Sequence, residues 1–163
     1  MLSNCHQQSS TNFIQYSFIP EIYPYTDTIY ARHLNTTPFF ELGEYKTGKL
    51  IFYLNGDCSA CFAQILEWQK FILEHKDLLD KKKIKTAIVI HSEQLDLLEY
   101  NLENIPNSIP IYIDTAQYFS TYNNVPPKQK SITFLDSNNV VIHSTLHHLD
   151  KKQYKEILKA ASR

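Results

Sequence analysis

The sequence predicts an α/β domain with a mostly parallel central sheet, helices on both faces and an antiparallel hairpin at its carboxyl end. Three observations predict it. Short, continuous apolar runs at residues 50–54 and 86–90 have the length and composition of strands buried on both faces. Each is followed by a segment whose apolar residues recur at helical spacing. Near the end of the chain, two further strand-like runs flank Asp136-Ser137-Asn138-Asn139, a polar turn that marks a hairpin.

Taken in order, residues 12–40 carry many aromatics, but Pro20, Pro24 and Pro38 cut every run short. That stretch is expected to form an extension able to pack over a sheet edge in short strands. The division is therefore residues 1–44 as tether and aromatic-rich extension, and residues 45–163 as the folded domain. Leu50-Ile51-Phe52-Tyr53-Leu54 gives the first buried strand, and Asn55-Gly56-Asp57 breaks it. Cys61, Ile65, Trp68 and Ile72 then follow at steps of four, three and four, so the next helix has one strongly apolar face. Trp68 and the many tyrosines belong to the core and the sheet cover.

Lys81-Lys82-Lys83-Ile84-Lys85 follows Leu78-Leu79-Asp80 and fits a solvated helix C-terminus, where the dipole favours cations. Residues 86–90 form the next strand, and Leu95, Leu98 and Leu102 the next helix, which Asn104-Ile105-Pro106-Asn107 ends. A short strand at 109–113 and a short helix or turn at 116–122 lead to Pro126-Pro127 and then to the hairpin strands 131–135 and 140–144. The chain closes on a helix capped by Asp150 with Gln153 three residues on, its inner face carrying Tyr154, Ile157, Leu158 and Ala161.

Composition supports a single packed domain. The 163 residues are 43% hydrophobic and 13% aromatic, enough apolar surface for a real core and too much for general disorder. The 16 basic and 17 acidic residues are scattered, and a net charge of -1 gives no field that would attract nucleic acid or an anionic membrane. No run approaches the roughly 18 apolar residues of a membrane span. Leu2-Ser3-Asn4-Cys5 resembles the end of a bacterial lipoprotein signal, with a polar tether after the cysteine, although Asn4 stands where a small residue is usual. That resemblance implies a membrane tether through Cys5; an incidental cysteine is the alternative.

Three cysteines are too few for a disulfide framework, and two of them form Cys58-Ser59-Ala60-Cys61 between a strand and a helix. Two thiols three residues apart at a helix start share one face and lie within reach of each other. The first sits where free N–H groups and the helix dipole stabilise a thiolate. Cys58 is thus the candidate attacking thiol and Cys61 the more buried, resolving one. Asp57 either raises the Cys58 pKa by like-charge repulsion or caps the helix. No positive charge at Ser59 or Ala60 favours a strongly oxidising pair.

With this motif, the run Leu50 to Cys61, the added strand at 109–113 and the strand–turn–strand at 133–141, the sequence resembles the thioredoxin superfamily, in its bacterial envelope, TlpA-like branch. The resemblance implies a thiol–disulfide oxidoreductase, reductant or isomerase-like, acting on protein cysteines without a bound organic cofactor. An upstream thiol–disulfide electron donor and an envelope location, periplasmic side, follow from it, with the cytoplasm as alternative.

The chain departs from the family's pattern twice. Lys130-Ser131-Ile132-Thr133 occupies the stretch where the family has a cis-proline, and Phe52 stands where it often has a buried acid. A non-catalytic binding module with a structural disulfide is therefore an alternative. A copper chaperone using Cys58, Cys61 and one of His143, His147 and His148 is another. His75 and His91 are expected to be surface or strand-end residues without partners.

Overall fold

The computed structural model describes residues 22–24, 46–103, 105, 109–123, 130–145 and 151–160. The strands are β1 (Ile22–Pro24), β2 (Lys49–Asn55), β3 (Lys85–His91), β4 (Ile111–Asp114), β5 (Ser131–Leu135) and β6 (Val141–Thr145). The helices are α1 (Ser59–Glu74), α2 (Lys76–Lys81), α3 (Leu95–Leu102), α4 (Tyr118–Tyr122) and α5 (Lys151–Ala160). The six strands form one sheet in the order β1-β4-β3-β2-β5-β6. β2, β3 and β4 run parallel, while β1, β5 and β6 pair antiparallel at the two sides.

Alternation along the strands divides the core in two. Leu50, Phe52 and Leu54 project with Ile88, Ile90, Ile132 and Phe134 to the face covered by α1, α2 and α3, which contribute Ile65, Trp68, Ile72, Leu79, Leu98 and Leu102. Ile51 and Tyr53 project with Val89 and Tyr112 to the opposite face, where the ring of Phe119 in α4 stacks on Tyr53 at 5.3 Å. Trp68 is a core residue, as expected, with its ring 5.0 Å from Phe52. No helix among the described residues is long and apolar enough to cross a membrane.

Most expected elements are present, with shifts at their ends. The strand expected at 109–113 begins at Ile111, because Pro110 has no N–H for the ladder and contributes only its carbonyl, bonded to the amide of Ile88 at 2.9 Å. The hairpin's second strand starts at Val141 because of an irregularity in register between Phe134 and Leu135. Asp136 Oδ1 accepts the amides of Asn138 and Val140, and Asn139 turns the chain with φ 65°. Residues 22–24 supply the edge strand β1, and an edge is where a sheet tolerates a proline such as Pro24.

In α5, Tyr154 packs edge-on against Phe71 and His75, at 5.2 and 4.4 Å. Asp150 and Ala161, and the side chains of Gln153, Ile157 and Leu158, lie outside the described residues.

Lys49, the first residue of the central strand, is fully buried. Its Nζ donates to the carbonyl of Thr47 at 3.1 Å, and burial lowers its pKa against the opposing pull of Asp136. A base whose folded pKa lies below its unfolded one weakens the fold while protonated, and that penalty fades as pH rises through the folded value toward the unfolded 10.5. Lys49→Met is therefore expected to be as stable as the wild type or more stable by about 1 kcal/mol in urea unfolding at pH 7. The gap should narrow toward pH 10. A loss instead of a gain would show that the bond to Thr47 outweighs desolvation.

Candidate active site

The site is built at the carboxyl end of β2. There the ladder with β3 is carried one bond past the last paired residue, the amide of Gly56 donating to the carbonyl of His91 at 2.6 Å. So close an approach leaves no room for a side chain: a Cβ on Gly56 would stand 2.7 Å from Ile90 Cγ2. Asn55 Oδ1 accepts the amide of Asp57 at 2.9 Å and closes the turn. The chain then enters α1 with Cys58 as its N-cap residue, in extended conformation.

Asp57 does not cap α1, whose N-cap makes no side-chain bond. Its carboxylate instead reaches across to the turn after β3, accepting the Ser92 hydroxyl at 2.6 Å and the Glu93 amide at 3.1 Å. Ser92 Oγ in turn accepts the amide of Gln94 at 3.0 Å. The acid next to Cys58 in the chain thus ties two turns together, and the N-cap of α1 is left without a side-chain hydrogen bond. No acidic residue lies in the helix's first turn. The opening amides therefore point their partial positive charge at the Cys58 end of the helix.

Cys58 and Cys61 are joined in a disulfide, with Cα atoms 5.3 Å apart and the Cys61 amide bonded to the Cys58 carbonyl at 3.0 Å. Cys58 is exposed. Cys61 is half-buried and packs against the core on the α1 face. Beneath them Phe52 is fully buried against Trp68 and Phe71, so β2 offers no acid under the pair. Asn55, Asp57, Glu93 and Gln94 line, with the two cysteines, an open cleft of about 460 Å³.

Lys130 directly precedes β5, and Ser131 pairs with Tyr53 near the carboxyl end of β2. The Lys130 Nζ donates to Gln64 Oε1 at 2.5 Å, one turn beyond Cys61. No peptide bond among the described residues is cis, and Pro126 and Pro127 lie outside them.

His91 ends β3, as expected, but both it and His75 have the partners they were expected to lack. His91 is buried, 3% exposed, and its Nδ1 donates to the carbonyl of Asp114 at 2.7 Å; a carbonyl oxygen can only accept, so the proton sits on Nδ1. His75 likewise bonds the carbonyl of Phe71 at 2.8 Å and lies half-buried between the rings of Phe71 and Tyr154. His143 lies in β6, opposite Phe134 and separated from β2 by β5, so the sheet does not bring it to the cysteines. His147, His148 and Cys5 lie outside the described residues. Among the described residues no group of three or more potential ligands is arranged to hold a metal ion.

Sequence reasoning missed Gly56, Ser92, His91 and Asp114 as the parts that hold this edge together. The signals were a glycine among only three in the chain, at a strand end, and polar residues directly after apolar runs.

Fold and site together define a thioredoxin-like α/β fold carrying a C-x-x-C pair where the central strand turns into its helix. No protein-family model matches the sequence, and no curated relative does. Solved structures do match in three dimensions. StoA from Bacillus subtilis superposes with a TM-score of 0.56 at 13% identity, covering 69% of this chain and 83% of StoA. A secreted disulfide oxidoreductase of Mycobacterium tuberculosis has a TM-score of 0.56 at 9% identity, over 76% and 87% of the two chains. A thioredoxin-like protein from Porphyromonas gingivalis has a TM-score of 0.55 at 12% identity, over 86% of each chain. At such identities the likeness establishes the fold, and it is the fold expected from the residues 50–61 and 133–141.

The role found for Asp57 gives two coupled expectations. Asp57→Ala removes the acceptor of Ser92 and Glu93 and should cost about 1–3 kcal/mol in urea unfolding of the oxidised protein. In the reduced protein, loss of the adjacent negative charge should lower the pKa of Cys58, read as an acid shift in the pH profile of iodoacetamide labelling. Unchanged stability would mean that the bridge between the two turns carries no weight.

Proposed function

We propose that this protein is a thiol–disulfide oxidoreductase acting on protein cysteines through Cys58 and Cys61, as a reductant or with an isomerase-like potential. The observation that carries the reading is the unequal placement of the two sulfurs. Cys58 is exposed at an uncapped helix N-terminus, and Cys61 is bonded to it from a half-buried position against the core.

In the reduced protein, the Cys58 thiolate attacks a sulfur of a client disulfide, forming a mixed disulfide and releasing the client's other sulfur as a thiolate. Cys61 then attacks Cys58, closing the bond seen in the structure and releasing the client's second thiol. Two electrons and two protons pass to the client, and an upstream dithiol donor restores the pair. No organic cofactor enters this balance. With Phe52 in the place of an acid, the Cys61 proton goes to water or to the departing client thiolate.

Reduced Cys58 should be alkylated well before Cys61, and a Cys61→Ser variant should accumulate mixed disulfides with client proteins that Cys58→Ser does not. Non-reducing electrophoresis of acid-quenched cells reads both. If neither variant traps a client and the two thiols label equally slowly, the pair is a structural bridge in a binding module.

The same reading places the protein in a bacterial cell envelope, supported by the residues 2–5 and by the secretion of the M. tuberculosis structural neighbour. Expression from the native upstream region should give a membrane-bound, detergent-soluble product if Cys5 is lipidated. Cys5→Ala should then move the protein to the soluble fraction, and identical fractionation of the two would remove the tether.

A further inference from the structure

At the opposite end of β2 from the cysteines, about 20 Å away along the strand, a second cavity of about 650 Å³ opens between the segment entering β2, the turn before β3, the hairpin and α5. Its volume falls in the range of small-molecule sites. Ile84, Phe134 and Ile142 line it; Ile84 and Phe134 are buried core residues that close its base, and Ile142, 47% exposed, is the apolar side chain open to it. Gly48 closes the floor against Phe134: a Cβ there would stand 3.2 Å from the ring, so only a glycine lets the backbone lie this close.

Around this apolar wall stand four lysines from three separate segments, Lys46, Lys82, Lys83 and Lys159. Lys83 is held in the left-handed region, φ 54°, directly after the end of α2. Among the described residues two carboxylates face the same space, Asp136 and Glu156. In a chain whose net charge is -1, this is a local excess of positive charge over an apolar floor. The lysine run at 81–85 is therefore more than a solvated helix end, since the fold gathers two of its members with cations from elsewhere.

We propose that this cavity binds an amphipathic organic anion, a medium-chain carboxylate, with its headgroup among the lysines and its chain on Ile84, Phe134 and Ile142. The inference is independent of the dithiol chemistry, because none of its residues touches Cys58 or Cys61.

The test uses the oxidised full chain and sodium dodecanoate below its micellar concentration, followed by amide chemical shifts. Dodecanoate should cause saturable shifts clustered at Gly48, Ile84 and Ser137. The double variant K46E/K83E, altered at two exposed positions, should weaken binding by about tenfold or more while its other amide shifts stay in place. Ile142→Ser, which removes apolar wall without touching charge, should weaken it as well. Acetate, which has the headgroup alone, and dodecyltrimethylammonium, which has the tail with opposite charge, should not occupy the cavity. The proposal is overturned if no saturable shift appears up to about 1 mM. Shifts that cluster elsewhere, equal binding of the cationic amphiphile, or unchanged affinity in K46E/K83E would overturn it equally.

Discussion

The bond from the Gly56 amide to the carbonyl of His91 is the contact on which the site depends. It holds the first residue beyond β2 against the last residue of β3, and so sets where the chain can turn into α1. From there a line of hydrogen bonds runs across the carboxyl ends of three strands. The imidazole of His91 donates to the carbonyl of Asp114 at the end of β4, and the Asp114 carboxylate accepts the amide of Phe119 at the start of α4 at 2.7 Å. Asp57 adds a second tie, between the turn before α1 and the turn before α3. Apart from the exposed Glu93 amide, each link is a buried or half-buried polar group satisfied by a neighbour, which is what keeps such groups from costing the fold. The position of Cys58 is the sum of these ties.

Once the turn is placed, the asymmetry of the cysteines follows from helix geometry alone. The N-cap residue stands outside the first turn, near amides with no intrahelical acceptor, while the residue three positions on points back along the helix toward the sheet. Below the pair, Phe52, Trp68 and Phe71 make a dry aromatic layer. Above it, Asn55, Glu93 and Gln94 make a polar cleft. Negative charge is thus favoured on the outer sulfur and disfavoured on the inner one. The absence of an acid at Phe52 removes an internal proton acceptor but leaves the order of attack unchanged.

Patterns with short periods were legible in the chain. The runs at 50–54 and 86–90, the steps of four and three from Cys61 to Ile72, and the turn at 136–139 each announced their element, because burial on one or two faces imposes those periods. The cysteine pair was legible for the same reason: spacing and a strand–helix junction place it. What could not be read were the contacts between residues far apart in sequence, such as Asp57 with Ser92 or Lys130 with Gln64. They depend on register between parallel strands and on how a loop returns to the sheet, which no local pattern encodes. Asp57 shows the cost: beside a helix start it reads as a charge on Cys58 or as a cap, and its bonds to the neighbouring turn could not be read from either. His91 shows the same thing, since a histidine ending an apolar strand reads as partnerless until β4 places a carbonyl beside it.

The central claim is that the Cys58–Cys61 bond is exchanged in function and is not a fixed brace. Equilibrating the protein against glutathione and dithiothreitol buffers, with the reduced fraction read by thiol alkylation, gives its reduction potential directly. The account predicts a value between about -300 and -180 mV, within reach of protein dithiol donors and client disulfides. A potential well below about -300 mV would mark a structural disulfide and contradict it.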